Sequence, residues 1–143
     1  TLGPDTLIEL RHGWRAVDGH NHVNAFFDMH DIGDALIRAG LAEPVLDAER
    51  LTFTYPTVDR LLRDLKTLGA GNVTAGRARG LTGKGRLRAL CAAYEQTRRA
   101  DGLLPVTCEV VYGHAWGPLQ ERSGPRGNDS AVFPLSRLRR TRR

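Results

Sequence analysis

The sequence predicts an α/β fold with two main strands and about four helices. The run Arg50 to Tyr55, RLTFTY, alternates apolar with polar residues, which is typical of a strand with two unlike faces. The run Leu104 to Trp116, LPVTCEVVYGHAW, is rich in β-branched and aromatic residues and is predicted as the second strand. Four other segments repeat apolar residues at intervals of three and four, the period of an amphipathic helix.

Two of the helices precede the first strand. Asp5 is the predicted N-cap of the first helix, and Gly40 is the residue at which the second ends. The polar stretch between them, DGHNHVNAFF, is predicted to be a loop. The apolar residues at helical spacing are Leu7, Leu10, Trp14 and Val17 in the first helix and Met29, Ile32, Leu36 and Ala39 in the second.

The other two helices lie between the strands. Thr57 can cap the third helix, which is predicted to end at Gly69. The fourth helix is predicted to begin at Thr82 or a nearby glycine and to end around Asp101-Gly102. The predicted inner faces are Val58, Leu61, Leu62, Leu65 and Leu68 in the third helix and Leu87, Leu90, Cys91 and Tyr94 in the fourth.

The predicted sheet is very small. A sheet of two strands is marginal in water, and its outer edges carry unpaired backbone groups. We therefore expect it to need further strands or to self-associate through an exposed edge.

Length and charge divide the chain into two parts. A chain of 143 residues is long enough for one domain with its own core. The net charge of +5 is concentrated at the C-terminal end, where residues 122–143 contain seven Arg and one Asp. The rest of the chain is close to neutral, which argues against a domain-wide nucleic-acid surface. Because the hydrophobic periodicity stops near Trp116, we expect residues 1–118 to fold and residues 119–143 to form a basic, disordered tail.

The composition also bears on location. No apolar run is as long as a membrane span, and the N-terminus lacks the charged and apolar regions of a secretory signal. Cys91 and Cys108 lie in apolar patterns rather than at metal-ligand spacings, so we expect buried, reduced thiols and a cytoplasmic protein. The chain begins with Thr rather than an initiator Met, which fits a processed product or a piece of a longer protein.

The glycine-rich stretch from Asn72 to Leu90, NVTAGRARGLTGKGRLRAL, does not match a phosphate-binding P-loop. That motif requires Gly, four residues and then Gly-Lys-Ser/Thr. Here Ala78 stands at the first position, and Gly85 stands where the hydroxyl is needed. We interpret these glycines as residues that end a helix and form turns.

Five segments of the chain together resemble one protein family. They are GPDTLIELRHGWRAVD, HVNAFFDMHDIGDALIRAG, DAERLTFTYPTVDRLLRDLKTLGAGNV, AGRARGLTG and LPVTCEVVYGHAW, and they cover nearly all of residues 1–118. In this order they resemble the C-terminal half of the malonyl-acyl-carrier-protein O-methyltransferases, the S-adenosylmethionine (SAM) dependent enzymes of biotin synthesis. The tail from Leu119 onward lies outside the resemblance.

The resemblance implies the C-terminal portion of a class I, Rossmann-like methyltransferase fold, whose final strand is antiparallel. The opening TLGPD would be the exit from the fifth strand, and the two predicted strands would be the sixth and seventh. The family holds SAM through a Gly-rich turn and an acidic residue in its first half, and this sequence contains neither. We expect the complete enzyme to use SAM, and this chain alone to bind no cofactor or metal and to be inactive.

The reaction that the resemblance implies is methylation of the free carboxylate of malonyl-acyl-carrier protein. That carboxylate is already ionised at neutral pH, so the reaction needs positioning and exclusion of water rather than a general base. The lack of a catalytic His or Asp pair is therefore no argument against the resemblance, and the sequence does not identify a catalytic residue. In the family the HVNAFF segment lies near the active-site mouth, so His22, Asn24 and Phe26 are candidates for contact with the acyl thioester or the phosphopantetheine arm.

The cations of the glycine-rich stretch are candidates for recognition of the carrier. Arg77 is the candidate for binding the carboxylate or the carrier, because a guanidinium matches carboxylate and phosphate geometry. No acidic residue lies between Asp64 and Glu95, so a basic surface can dock an acidic acyl-carrier protein there. The other cations of this surface are Arg79, Lys84, Arg86 and Arg88. An ordinary solvated surface explains all of them equally well.

Other interpretations stay open. The spacing of His20 and His22, with His30, Asp28 and Asp31 nearby, resembles a metal site, although zinc needs three or four convergent ligands. The basic stretch and the Arg-rich tail also fit a nucleic-acid-binding module, although no aromatic residue lies between Tyr55 and Tyr94 for base stacking. The third alternative is a non-catalytic domain that binds a partner through its sheet edge. For His114 and Trp116 we expect edge packing.

Overall fold

The computed structural model describes residues 1–78 and 80–117. In this part of the chain the fold is α/β, with four helices and a two-stranded antiparallel sheet, as the sequence predicts. In chain order the elements are α1 (Ile8–Arg15), α2 (Met29–Arg38), β1 (Ala42–Tyr55), α3 (Val58–Thr67), α4 (Lys84–Glu95) and β2 (Leu104–Trp116). The predicted tail, residues 119–143, lies outside the described residues. None of the helices in the described ranges is long and apolar enough to cross a bilayer.

Strand β2 has the predicted bounds, but β1 starts eight residues earlier than predicted, at Ala42 instead of Arg50. The two strands pair from Tyr55 opposite Leu104 to Ala42 opposite Trp116. The alternation of apolar and polar residues is lost before Arg50, but the long β2 provides backbone partners there. A register shift between Ala42 and Val45 accommodates Pro44, which cannot donate a ladder hydrogen bond.

The first residues of the chain lie along β2 on the side opposite β1. Leu2 forms an antiparallel bridge with Val110, and the Gly3 amide donates to the Glu109 carbonyl at 2.9 Å. A Cβ atom at Gly3 would lie 2.5 Å from the Glu109 carboxyl group, so a larger residue there would have to displace that side chain. Strand β2 is therefore flanked on both sides over part of its length.

The apolar face of α1 is as predicted, but its N-cap is Leu7 rather than Asp5. Leu7 adopts a left-handed conformation (φ 58°) with no side-chain cap, and its amide donates to the Thr107 carbonyl at 2.8 Å. Asp5 is not available for capping because its carboxylate pairs with Arg50. The start of α1 is thus held by β2 rather than by a local cap.

The predicted boundaries of α2 and α3 are confirmed. Asp28 caps α2 and Thr57 caps α3, each accepting from the backbone amide three residues on. Gly40 and Gly69 follow the two helices with φ of 78° and 72°, the conformation expected after a C-cap. Leu68 was predicted on the inner face of α3 but is exposed, because it lies beyond the last helical turn.

Helix α4 begins after Gly83, within the predicted range, but it ends at Glu95 rather than near Asp101. The side chain of Arg98 explains the early end. Its guanidinium donates to the Glu95 carboxylate at 2.6 and 2.7 Å and to the carbonyl oxygens of Pro56 and Gly102. These bonds hold residues 96–102 as a turn against the end of β1.

The core lies between one face of the sheet and helices α1, α3 and α4. Tyr94 and Leu90 of α4 are fully buried, and the Tyr94 hydroxyl donates to the Pro105 carbonyl at 2.9 Å. Helix α2 packs on the opposite face, where Gly33 lets the helix approach Leu46. The other core residues are Leu10, Trp14, Val58, Leu61, Leu104 and Val106. Both cysteines are free, as expected, but they are only half-buried, so the expectation of buried thiols is wrong.

Candidate functional site

An open cleft of about 440 Å³ lies between the core face of the sheet, α1, the end of α3 and the loop that joins α1 to α2. Most of its lining is apolar, and includes Leu7, Phe26, Phe53, Tyr55, Leu65 and Val106. The polar lining comes from Thr6, His22, Asn24, Asn72 and Thr107, and none of the described lining residues is acidic. An apolar, concave space with a few polar groups is the usual form of a small-molecule site. Three of the predicted substrate residues, His22, Asn24 and Phe26, meet in this cleft.

The orientation of His22 is fixed by two contacts. Its ring stacks on Trp14 with centroids 3.7 Å apart and planes 6° apart. Its Nε2 lies 2.8 Å from a carboxylate oxygen of Asp18, and its side chain is only 12% exposed. Because Nε2 faces Asp18, Nδ1 is the ring nitrogen that remains for a ligand.

Asp18 connects this histidine to α4. Its Oδ1 also accepts from the His20 amide at 3.0 Å, and its Oδ2 accepts from Arg86 Nη1 at 3.2 Å. The His20 amide, His22 and Arg86 together lower the pKa of Asp18 from its ordinary value of 3.8 to about 2. Asp18 was not predicted as a site residue, although an Asp followed by Gly is a typical turn signal.

Asn24 uses its amide group to hold the loop that follows α3. Its Oδ1 accepts from the Val73 amide at 3.1 Å, and its Nδ2 donates to the Gly71 carbonyl at 3.2 Å. Two further bonds join the same two loops. Asn72 Nδ2 donates to the Asn21 carbonyl at 2.6 Å, and Asn21 Nδ2 donates to the Ala75 carbonyl at 3.4 Å. These bonds hold the start of the glycine-rich stretch beside the cleft. Asn24 therefore positions the loop after α3 in addition to lining the cleft.

The predicted cations occupy different environments. Arg77 is exposed on the fastened loop, where Nη1 donates to the Thr74 carbonyl at 3.4 Å, and it does not line the cleft. Lys84, Arg86 and Arg88 lie on exposed positions of the first half of α4. Of these three, Arg86 forms an ion pair, with Asp18, among the described residues. Arg79 lies outside the described residues.

The histidines of the alternative metal site do not converge. His22 binds Asp18, while His30 lies 3.8 Å from Asp28 on the exposed start of α2. In residues 1–78 and 80–117, no three His, Cys, Asp or Glu side chains are arranged to hold a metal ion. At the end of β2, His114 and Trp116 stack edge to face with centroids 5.1 Å apart.

Comparison with known proteins identifies relatives that match most of this chain. The chain is 58% identical over 118 residues to the malonyl-[acyl-carrier protein] O-methyltransferase of Laribacter hongkongensis, which covers 82% of the chain. It is 59% identical over 118 residues to the protein of the same name from Gallionella capsiferriformans, and 54% identical over 123 residues to that from Nitrosospira multiformis.

The chain is homologous to the C-terminal part of malonyl-acyl-carrier-protein O-methyltransferases. This confirms the resemblance found in the sequence. The chain spans 39% of the length of the Laribacter methyltransferase and 40% of each of the other two. No family model matches the chain.

A smaller pocket lies beside the cleft, and none of the described residues that line either space is acidic.

Proposed function

We propose that this chain is the substrate-facing, C-terminal part of an enzyme that methylates the free carboxylate of malonyl-acyl-carrier protein in biotin synthesis, with SAM as the methyl donor. The observation that carries this proposal is the 54–59% identity to proteins of that name along most of the chain. The apolar cleft, lined by His22, Asn24 and Phe26, supports it because a thioester arm is largely apolar with a few polar groups.

The proposed fold is the end of a class I, Rossmann-like sheet. In this arrangement β1 and β2 are the sixth and seventh strands, and the first residues of the chain are the exit from the fifth. The antiparallel bridge between Leu2 and Val110 supports the proposal, because it puts the chain start on the side of β2 opposite β1. In a sheet whose final, antiparallel strand lies between the fifth and the sixth, that strand has the same two neighbours as β2.

The proposed role of the cleft residues is positioning. The acceptor carboxylate is ionised at neutral pH, so the chain needs to orient it and to exclude water. Apolar walls formed by Phe26 and Phe53 exclude water from the thioester arm. His22, held by Trp14 and Asp18, presents Nδ1 in a fixed direction.

The proposed docking surface for the acidic carrier is basic and lies beside the cleft. It consists of Arg77 on the loop after α3 and Lys84, Arg86 and Arg88 on α4, together with Arg79, which lies outside the described residues. The Asn24 bonds support this placement, because they fasten the loop that carries Arg77 next to the cleft. Arg77 is the member proposed to lie nearest to the acyl group.

The test is transfer of labelled methyl groups from SAM to malonyl-carrier protein by a complete enzyme that carries this chain. We expect a base-labile methyl ester with the malonyl carrier and none with a butyryl carrier, which has no free carboxylate. His22→Ala should lower kcat/KM by about 100-fold, because the acceptor loses its positioning.

The matched control is His30→Ala, since His30 is an exposed histidine of α2 away from the cleft. It should behave like the wild-type enzyme. Absence of methyl transfer to malonyl-carrier protein would refute the proposed function, and equal activity of both variants would remove the role of His22.

A further inference from the structure

A second pocket, of about 300 Å³, lies beside the cleft and shares a wall with it. The shared residues are His22, Val23 and Phe26. Unlike the cleft, this pocket is lined by two arginines of α1, Arg11 and Arg15, and by His20. Because the two spaces share a wall and both are open, one extended ligand can contact both.

Arg11 is a half-buried cation without a carboxylate partner among the described residues. Its guanidinium donates to the carbonyl oxygens of Pro4 at 2.8 Å and of Thr6 and Asn24 at 3.4 Å. These bonds fix the group in place but do not neutralise its charge. A guanidinium has five N–H donors, so the Nε proton and one Nη1 proton have no acceptor among the described residues.

Arg15 increases the positive charge at the same point. It lies one helical turn after Arg11, and like charges at this spacing destabilise a helix. No acidic residue of the described part of the chain lines the pocket, and neither arginine forms an ion pair with a described residue. Arg15 lies in the last turn of α1, where a cation offsets the partial charge of the helix end. That explanation does not extend to Arg11, whose charge a bound anion would balance.

We propose that the pocket of Arg11, Arg15 and His20 binds an oxyanion of the carrier-linked substrate while the thioester arm occupies the neighbouring cleft. This inference rests on the proposed function. The oxyanion is either the acyl carboxylate or the phosphate of the phosphopantetheine arm, since a guanidinium pairs with both. It assigns anion recognition to α1, in addition to Arg77 on the loop after α3.

The kinetic test compares malonyl-pantetheine with malonyl-phosphopantetheine as methyl acceptors of a complete enzyme that carries this chain. Arg15→Gln is the main variant because Arg15 is exposed and makes no bond on which the fold depends. If the pocket holds the carboxylate, KM rises about tenfold for both acceptors with little change in kcat. If it holds the phosphate, KM rises about tenfold for malonyl-phosphopantetheine alone. A KM within about twofold of wild type for both acceptors overturns the proposal.

Arg38→Gln is the control, because Arg38 is an exposed arginine of α2, and it should leave both KM values unchanged.

A binding experiment separates this inference from the proposed function. Malonate and 4′-phosphopantetheine are titrated into the 143-residue chain while the ring resonances of Trp14 and His22 are followed by NMR. Saturable shifts that weaken about tenfold in Arg15→Gln support the pocket even if no methyl transfer is detected. Absence of shifts with both compounds overturns it.

Discussion

Asp18 is the residue on which the geometry around His22 depends. One carboxylate accepts from the His20 amide, His22 and Arg86, and the side chain is 15% exposed. Asp18→Asn keeps an oxygen for the His20 amide but removes the charge that attracts His22 and Arg86. We expect the variant to have a lower thermal unfolding midpoint than the wild-type chain at pH 7.

The effect of Asp18 should depend on pH in a defined direction. Its pKa in the folded chain is about 2, below the ordinary value of 3.8, so the unfolded chain binds the proton more readily. The stabilisation is therefore complete above about pH 5 and is lost as the pH falls from about 4 towards 2. Thermal unfolding of both chains across this range checks the prediction. Asp28→Asn is the control, since Asp28 also accepts a hydrogen bond from a backbone amide. A difference in unfolding midpoint between wild type and Asp18→Asn that persists unchanged to pH 2.5 would contradict the prediction.

For single residues, the sequence predicts some of the side chains that line the cleft, but it does not predict the hydrogen bonds and ion pairs that fix them in place. His22, Asn24 and Phe26 are the candidates that the family resemblance implied in the HVNAFF segment, and all three line the cleft. The ion pair of Asp18 with Arg86 joins residues 68 positions apart. It depends on how the loop after α1 packs against the start of α4, which no local pattern records.

Among the elements, the first half of α4 is the part of the proposed docking surface that the structure describes most fully. Lys84 and Arg88 are exposed there, and neither pairs with a described acidic residue. Reversing both to Glu should slow association of malonyl-carrier protein about tenfold at low salt, because steering by opposite charges is lost. The difference from wild type should shrink as salt is added, since screening acts on exposed charges.

Stopped-flow association of the carrier with a complete enzyme is the measurement. The matched control is Arg60→Glu with Lys66→Glu on α3, which changes the net charge by the same amount on another helix. An equal loss in both double variants would show that net charge, rather than the α4 surface, sets the association rate.

The elements were predictable where a local signal defines their ends. Thr57 lies at the start of α3 and Gly69 follows its end. Both were identified from the sequence because capping side chains and left-handed glycines act within a single turn. The predicted end of α4 and the predicted start of β1 were wrong because residues distant in sequence determine both positions. Arg98 reaches the Pro56 carbonyl to close the turn after α4, and β2 provides partners for β1 from Ala42 onward.

Several large apolar side chains are exposed among the described residues. Phe27, Phe53 and Trp116 are each at least half exposed. In the described residues β1 pairs on one side with β2, and its other edge has no strand partner. A long strand with a free edge is a template for pairing with another chain.

We therefore expect the 143-residue chain to sediment as a dimer or larger species, with β1 at the contact. Val45→Lys should shift it towards monomer, because Val45 is 65% exposed on β1 and a lysine there resists burial beneath a second strand. Leu81→Lys is the matched control: it also replaces an exposed apolar residue, 96% exposed, with lysine, but it lies in the loop before α4. Sedimentation velocity over a range of concentrations compares the three chains. A wild-type chain that stays monomeric throughout would refute self-association, and equal dissociation of both variants would show that the contact depends on net charge rather than on the edge of β1.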